Sequence, residues 1–157
     1  WVVGVCEIEQ IGRPPIKGID KDYYFLQPVY DTKGIIYSPV ENNKVMIRSI
    51  IGKDTCIKLI DRAKNCKKDE ALNEKIHPSR YDEMVKSQDV IQLMHLVRAL
   101  FNIKNDRAKE LRRMKSADNR MLATARKLLY GEIAAAMNED YTAMSEQMDN
   151  YLSVLWF

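Results

Sequence analysis

The apolar pattern changes period at Gly52, and that change constrains the fold more than any other feature. Before it, residues 2–11, 23–30, 34–37 and 45–51 are short runs rich in Val, Ile, Tyr and Phe, the signature of strands. After it, apolar residues recur every three or four positions, the signature of helices that pack through one face. A strand-rich half followed by a helix-rich half predicts an α+β fold. Strands this short and closely spaced predict a small, highly curved sheet or barrel. The expected division is residues 1–52 for the sheet domain, 53–77 for a short helix and linker, and 78–157 for an all-α helical domain.

Local signals fill in this outline. Asp31-Thr32-Lys33-Gly34 has the Asp and Gly positions of a type I turn, and Glu41-Asn42-Asn43-Lys44 tolerates left-handed backbone, so both are expected to close hairpins. Pro14-Pro15 and Gly18 break the first connection. Cys56, Leu59, Ile60 and Ala63 fall at helical spacing, whereas residues 65–75 show no apolar face and read as a linker or exposed loop. Tyr81, Met84 and Val85 mark a short helix. Val90, Leu93, Met94, Val97, Leu100 and Phe101, then Ala108 and Leu111, mark a long one with Ser87 as N-cap. Ser116 and Asp118 are placed to cap another, with a stripe of Met121, Leu122, Ala125, Leu128, Leu129, Ile133, Ala136 and Met137, and a last amphipathic stretch starts near Asp140.

The net charge of +3 conceals an uneven distribution. Residues 98–127 carry 10 basic and 3 acidic side chains, while everything from 128 onward carries five acids and no base. A basic block in a nearly neutral chain is the footprint of a phosphate-backbone contact, and equally of a solvated helix face. At 100° per residue, Arg98, Lys109 and Arg113 project away from the apolar stripe of the long helix, and Arg120 and Lys127 away from that of the next. The intervening Arg112-Arg113-Met114-Lys115-Ser116 adds cations and a hydroxyl. Such a surface predicts salt-sensitive, sequence-independent attachment to duplex DNA, because no helix is rich enough in Asn, Gln and Arg to read base edges.

Catalytic chemistry has no foothold. The chain lacks GxSxG, Walker, dinucleotide and HExxH motifs, so no enzyme, cofactor or small-molecule substrate is expected. Cys6, Cys56 and Cys66 form no CxxC pair and come with only His77 and His95, so neither a disulfide framework nor a metal site is expected. Cys6 and Cys56 read as core thiols, His95 as a structural histidine, and Glu132 as a cap or a buried hydrogen-bond anchor. No apolar run approaches the roughly 20 residues of a membrane span, so the chain reads as soluble and its cysteines as belonging to a reducing, intracellular setting. With no initiator Met, the N-terminus reads as trimmed or incompletely represented.

Two stretches together carry a resemblance. In the first half, Gly4-Val5-Cys6 is followed by Gly34-Ile35-Ile36-Tyr37-Ser38-Pro39-Val40-Glu41-Asn42 and Val45-Met46-Ile47-Arg48. In the second, Ser79-Arg80-Tyr81 is followed by Met121-Leu122-Ala123-Thr124-Ala125-Arg126-Lys127-Leu128-Leu129-Tyr130-Gly131-Glu132-Ile133-Ala134. In this order and spacing the chain resembles the CarD/CdnL family of bacterial transcription factors over nearly its whole length. The resemblance implies a Tudor-like N-terminal domain that grips a lobe of the RNA polymerase β subunit. It also implies a helical domain that contacts promoter DNA upstream of the melted region, lengthening the life of the open complex in the bacterial cytoplasm, at the nucleoid.

Carried over, the polymerase-facing residues are Arg13, Ile35, Ile36, Tyr37 and Pro39, with an exposed strand edge suited to strand addition. The DNA-facing residues are Arg98, Lys109, Arg112, Arg113, Lys115, Arg120 and Lys127, with His77 and Arg80 at the upstream edge of the bubble. This chain departs from the family where some members place a wedge tryptophan: the nearest position holds His77, and Trp1 and Trp156 lie far away in sequence. It also runs Trp1-Val2-Val3 straight into Gly4-Val5-Cys6 where relatives carry a further strand and turn, so residues are expected to be missing from the start. The competing expectation is a protein-interaction adaptor with solvated basic helices and no DNA contact.

Overall fold

The computed structural model describes residues 2–31, 34–41 and 44–155, which divide into two compact units, Val3–Ile50 and Ile51–Phe157. The first is an antiparallel meander, β1 (Cys6–Gly12), β2 (Tyr23–Pro28) and β3 (Ile36–Pro39), in the order β1-β2-β3. Its register pairs Phe25 with Tyr37 across β2 and β3, and their rings meet edge to face with centroids 4.9 Å apart. A bulge between Ile8 and Gln10 lets β1 bend against β2. The fourth expected strand, residues 45–51, is irregular backbone and adds no strand, so the described sheet stops at three strands. Thr32, Lys33, Asn42 and Asn43, at the centres of the two expected hairpin turns, lie outside the described residues, as do Trp1, Trp156 and Phe157.

Among the described residues the second unit holds six α-helices: α1 (Lys53–Lys64), α2 (Glu70–Asn73), α3 (Tyr81–Ser87), α4 (Val90–Lys109), α5 (Ser116–Met137) and α6 (Tyr141–Leu152). No helix of the described residues is long and apolar enough to cross a membrane. Here α4 is the central element, touching α2, α3, α5 and α6. Its stretch from Leu93 to Phe101 is buried on every side except at His95, whose Nε2 lies 3.1 Å from the carbonyl of Glu74. The stripe of α5 packs as expected through Leu122, Ala125, Leu128, Leu129 and Ile133. Glu132 is a buried anchor, accepting a 3.0 Å hydrogen bond from the backbone N–H of Ile51.

Several local expectations are corrected. Residues 65–75 are folded, as a 3-10 turn (Cys66–Lys68) and α2, because Cys66, Leu72 and Asn73 are buried although the residues between them are polar. Asp69 caps α2 by accepting from Leu72 N–H and pairs with Arg62 at 2.6 Å. The long helix is capped by Asp89, which accepts from Ile91 and Gln92 N–H, while the Ser87 hydroxyl donates back to Met84. No side chain caps α5, whose first residue is Ser116 itself. Cys6 is half-exposed on β1 and so is no core thiol. Leu111 lies beyond the end of α4 and is almost wholly exposed.

Candidate functional site

The cations of residues 98–127 separate into two populations. Arg98 and Arg126 are structural. Arg98 is 0% exposed, with Nε donating to Asn73 Oδ1 at 2.9 Å and Nη1 to the carbonyls of Leu152 (2.8 Å) and Val154. These bonds tie the last turn of α6 to the central helix, and Asn105 adds a 2.9 Å bond to the Ser153 carbonyl. Burial pushes the Arg98 pKa below its usual value. Arg98 is thus removed from the DNA-facing set. A helical projection treats one side of α4 as solvent, but α6 closes over that side. Arg126 grips Asp149 through Nε (2.9 Å) and Nη2, and the buried Tyr130 hydroxyl donates to the same carboxylate at 2.8 Å.

The remaining candidates are exposed. Lys109 ends α4, and Arg112, Arg113 and Lys115 lie on the connection to α5. Lys109 approaches Asp106 at 3.5 Å and Arg112 approaches Glu110 at 3.6 Å, contacts so open to water that they hold little charge down. Arg113, Lys115, Arg120 and Lys127 have no carboxylate partner among the described residues. Arg120 and Lys127, seven residues apart, share one face of α5 with exposed Ala123 and Thr124 between them. Small side chains between cations leave room for a phosphate backbone to lie close. The connection also leads into the uncapped start of α5, where free backbone N–H groups add positive potential.

His77 precedes and Arg80 ends a separate 3-10 turn, Pro78–Arg80. Ser79 N–H donates to His77 Nδ1 at 3.2 Å, so the ring caps the turn, and both His77 and Arg80 are exposed.

In the sheet unit, β3 is an edge strand. Ile35 is 38% exposed just before it, Ile36, Tyr37 and Pro39 are half-buried on it, and Tyr37 is committed to Phe25. Arg13 is exposed and meets Asp20 at 2.9 Å across the β1–β2 connection. Residues the sequence reading overlooked are also here: Ile8, Ile11, Val45, Met46, Ile47 and Ile50 are exposed apolar side chains. Their β-branched character is a strand signal, and exposure is a tertiary property that composition does not carry.

Buried Cys56 and Cys66 offer no nucleophile, since burial pushes both thiols above their usual value. A family description, the CarD C-terminal domain, matches residues 58–149, well over half of the chain.

The chain belongs to the CarD family.

That match covers almost the whole helical unit, including the loop between α4 and α5, and it makes this CarD-family chain a transcription-associated protein rather than a member of a known enzyme family. The sheet unit lies outside the matched residues.

Proposed function

We propose that this chain regulates transcription by binding the RNA polymerase β subunit through its sheet unit and by holding promoter DNA through the phosphate backbone, so stabilising the open complex. The observation that carries the DNA half is the set of four cations without carboxylate partners among the described residues, Arg113, Lys115, Arg120 and Lys127, on one connection and one helix face. The family match supports the transcriptional setting. The apolar side chains exposed on the sheet unit and the free β3 edge support a protein partner there.

The test is duplex binding as a function of salt for the wild-type chain and for Arg113→Glu, Arg120→Glu and Lys127→Glu. Each variant is expected to weaken binding and to flatten the log Kd against log salt plot by about one unit of slope. Unchanged slopes would contradict the DNA contact and leave an adaptor. The polymerase half is tested by binding to core polymerase with Ile35→Glu. Ile35 is the better probe than Tyr37, since loss of Tyr37 also breaks the Phe25 contact.

A further inference from the structure

The connection between α4 and α5 ends in a hydroxyl that the duplex contact does not need. Residues 112–115 are irregular backbone, and Arg112, Arg113, Lys115 and Ser116 are all exposed. Among the described serines and threonines, Ser116 alone has three cations in the four positions before it. Thr124 and Ser145 differ from it in a second respect as well: they lie inside helices and donate to the carbonyls of Arg120 (3.1 Å) and Tyr141 (2.7 Å).

Ser116 is the first residue of α5, and no side chain caps that helix. Asn119 N–H reaches the Lys115 carbonyl at 3.0 Å, so the N–H groups of residues 116–118 precede the first bond of the helix. Asp118 does not stand beside the hydroxyl. Two residues further on it turns to the other side of the helix and is half-buried, where burial and the Asp118 charge together push the Tyr81 hydroxyl above its usual value. Three exposed cations on an irregular segment are complementary to the acidic cleft of a protein kinase that selects basic sequences. An uncapped first turn opens at little cost, which lets such a cleft draw the segment into extended form.

We propose that Ser116 is the phosphoacceptor for a basophilic serine kinase, and that its phosphorylation releases the duplex. A carboxylate of the kinase takes the proton from Ser116 Oγ, and Oγ attacks the γ-phosphorus of ATP. The Oγ–P bond forms as the bond to the β,γ-bridging oxygen breaks, and ADP leaves. The product carries a charge of about −1.5 to −2 at pH 7, set among the cations that hold the phosphate backbone and next to the free N–H groups that start α5. The new group therefore opposes DNA while favouring the helix. The release rests on the reading of the basic connection as a duplex contact, whereas the modification itself does not.

The test uses the full chain, ATP labelled on its γ-phosphorus and a purified basophilic serine kinase, with Ser116→Ala and the double variant Arg112→Gln/Arg113→Gln beside the wild type. The wild type is expected to take up one phosphoryl group per chain and Ser116→Ala none, with kcat/KM about tenfold lower for the double variant. Label retained in Ser116→Ala, or no label in the wild type, would overturn the assignment. Duplex binding against salt and thermal melts then compare the phosphorylated chain with the unmodified one. Phosphorylation is expected to weaken binding about tenfold, to flatten the log Kd against log salt plot by about one to two units, and to raise the melting temperature by about 2–4 °C. Unchanged affinity on phosphorylation of a chain that binds duplex in a salt-dependent way would overturn the release and leave the duplex contact standing. An unmodified chain that shows no salt-dependent duplex binding would overturn the duplex reading and the release together, and the label at Ser116 would still decide the modification. Weakened binding with a lowered melting temperature would mean a damaged fold and would overturn the release.

Discussion

The two units bury their apolar residues very differently. In the helical unit one core runs from Cys56 to Leu152, and among the described residues it contains every buried aliphatic, aromatic and sulfur side chain other than proline. Among the described residues of the sheet unit only Pro14, Pro28 and Ser38 are buried, while Ile8, Ile11, Met46 and others stand in water. The helical unit therefore owes its stability to packing. The described sheet unit rests mainly on backbone pairing and a few cross-strand contacts. Packing is concentrated in the helical unit, and the basic face lies on that unit.

The largest effects separate core from surface. Leu100→Ala, at a position with no exposure, is expected to destabilise the helical unit by about 3–5 kcal/mol in urea unfolding. Met46→Ala is expected to stay within about 0.5 kcal/mol of wild type, and an equal cost would mean that the sheet unit has a core of its own.

Next come the two kinds of cation. Arg98→Ala leaves the carbonyls of Leu152 and Val154 and the Asn73 amide oxygen without that donor, and is expected to cost about 3 kcal/mol with duplex affinity per folded molecule unchanged. Arg113→Glu reverses both results. A normally folded Arg98→Ala that fails to bind duplex would undo the distinction.

A smaller effect compares two tyrosines. Tyr130→Phe removes a buried bond to Asp149 and is expected to cost about 1 kcal/mol, whereas Tyr37→Phe keeps the ring on Phe25 and is expected to change stability by a few tenths. Matching losses would place a buried polar contact in the sheet.

The last effect depends on pH. Arg62 beside Asp69 holds that carboxyl below its ordinary value of 3.8, helped by the Leu72 N–H, and burial opposes this only in part. The folded state therefore favours the carboxylate. The resulting stability is complete well above pH 4 and is lost as pH falls through the ordinary value and on to the lowered one. Asp69→Asn is expected to cost about 1 kcal/mol at pH 7, with a gap to wild type that narrows below about pH 4 in thermal melts. A gap that does not change with pH would show that the pair contributes no charge-dependent stability.

Much of this comparison was legible in the residues, and unevenly so. Long periodic stretches such as the stripe of α5 determine their own packing face, and the exposed cations at 109, 112, 113, 115, 120 and 127 lie where the spacing places them. Arg98 was not legible, because a residue on the polar side of one helix is buried when a distant helix, α6, closes over it. Residues 65–75 were missed for the reverse reason: their few buried side chains are too sparse to make a period. Ser87 and Asp89 both suit a cap, and two residues of register decided between them. Leu111 looked like the continuation of an apolar stripe until the chain turned left-handed beneath it.

The measurement that tests the division most directly is hydrogen–deuterium exchange of the chain alone and bound to core RNA polymerase. In the free chain, amides of β1, β2 and β3 are expected to exchange long before those of Leu93 to Phe101 on α4, and polymerase is expected to slow the sheet, most of all around Ile35 to Pro39, while leaving α4 unchanged. A sheet as protected as α4 in the free chain, or one that polymerase leaves unprotected, would contradict the account.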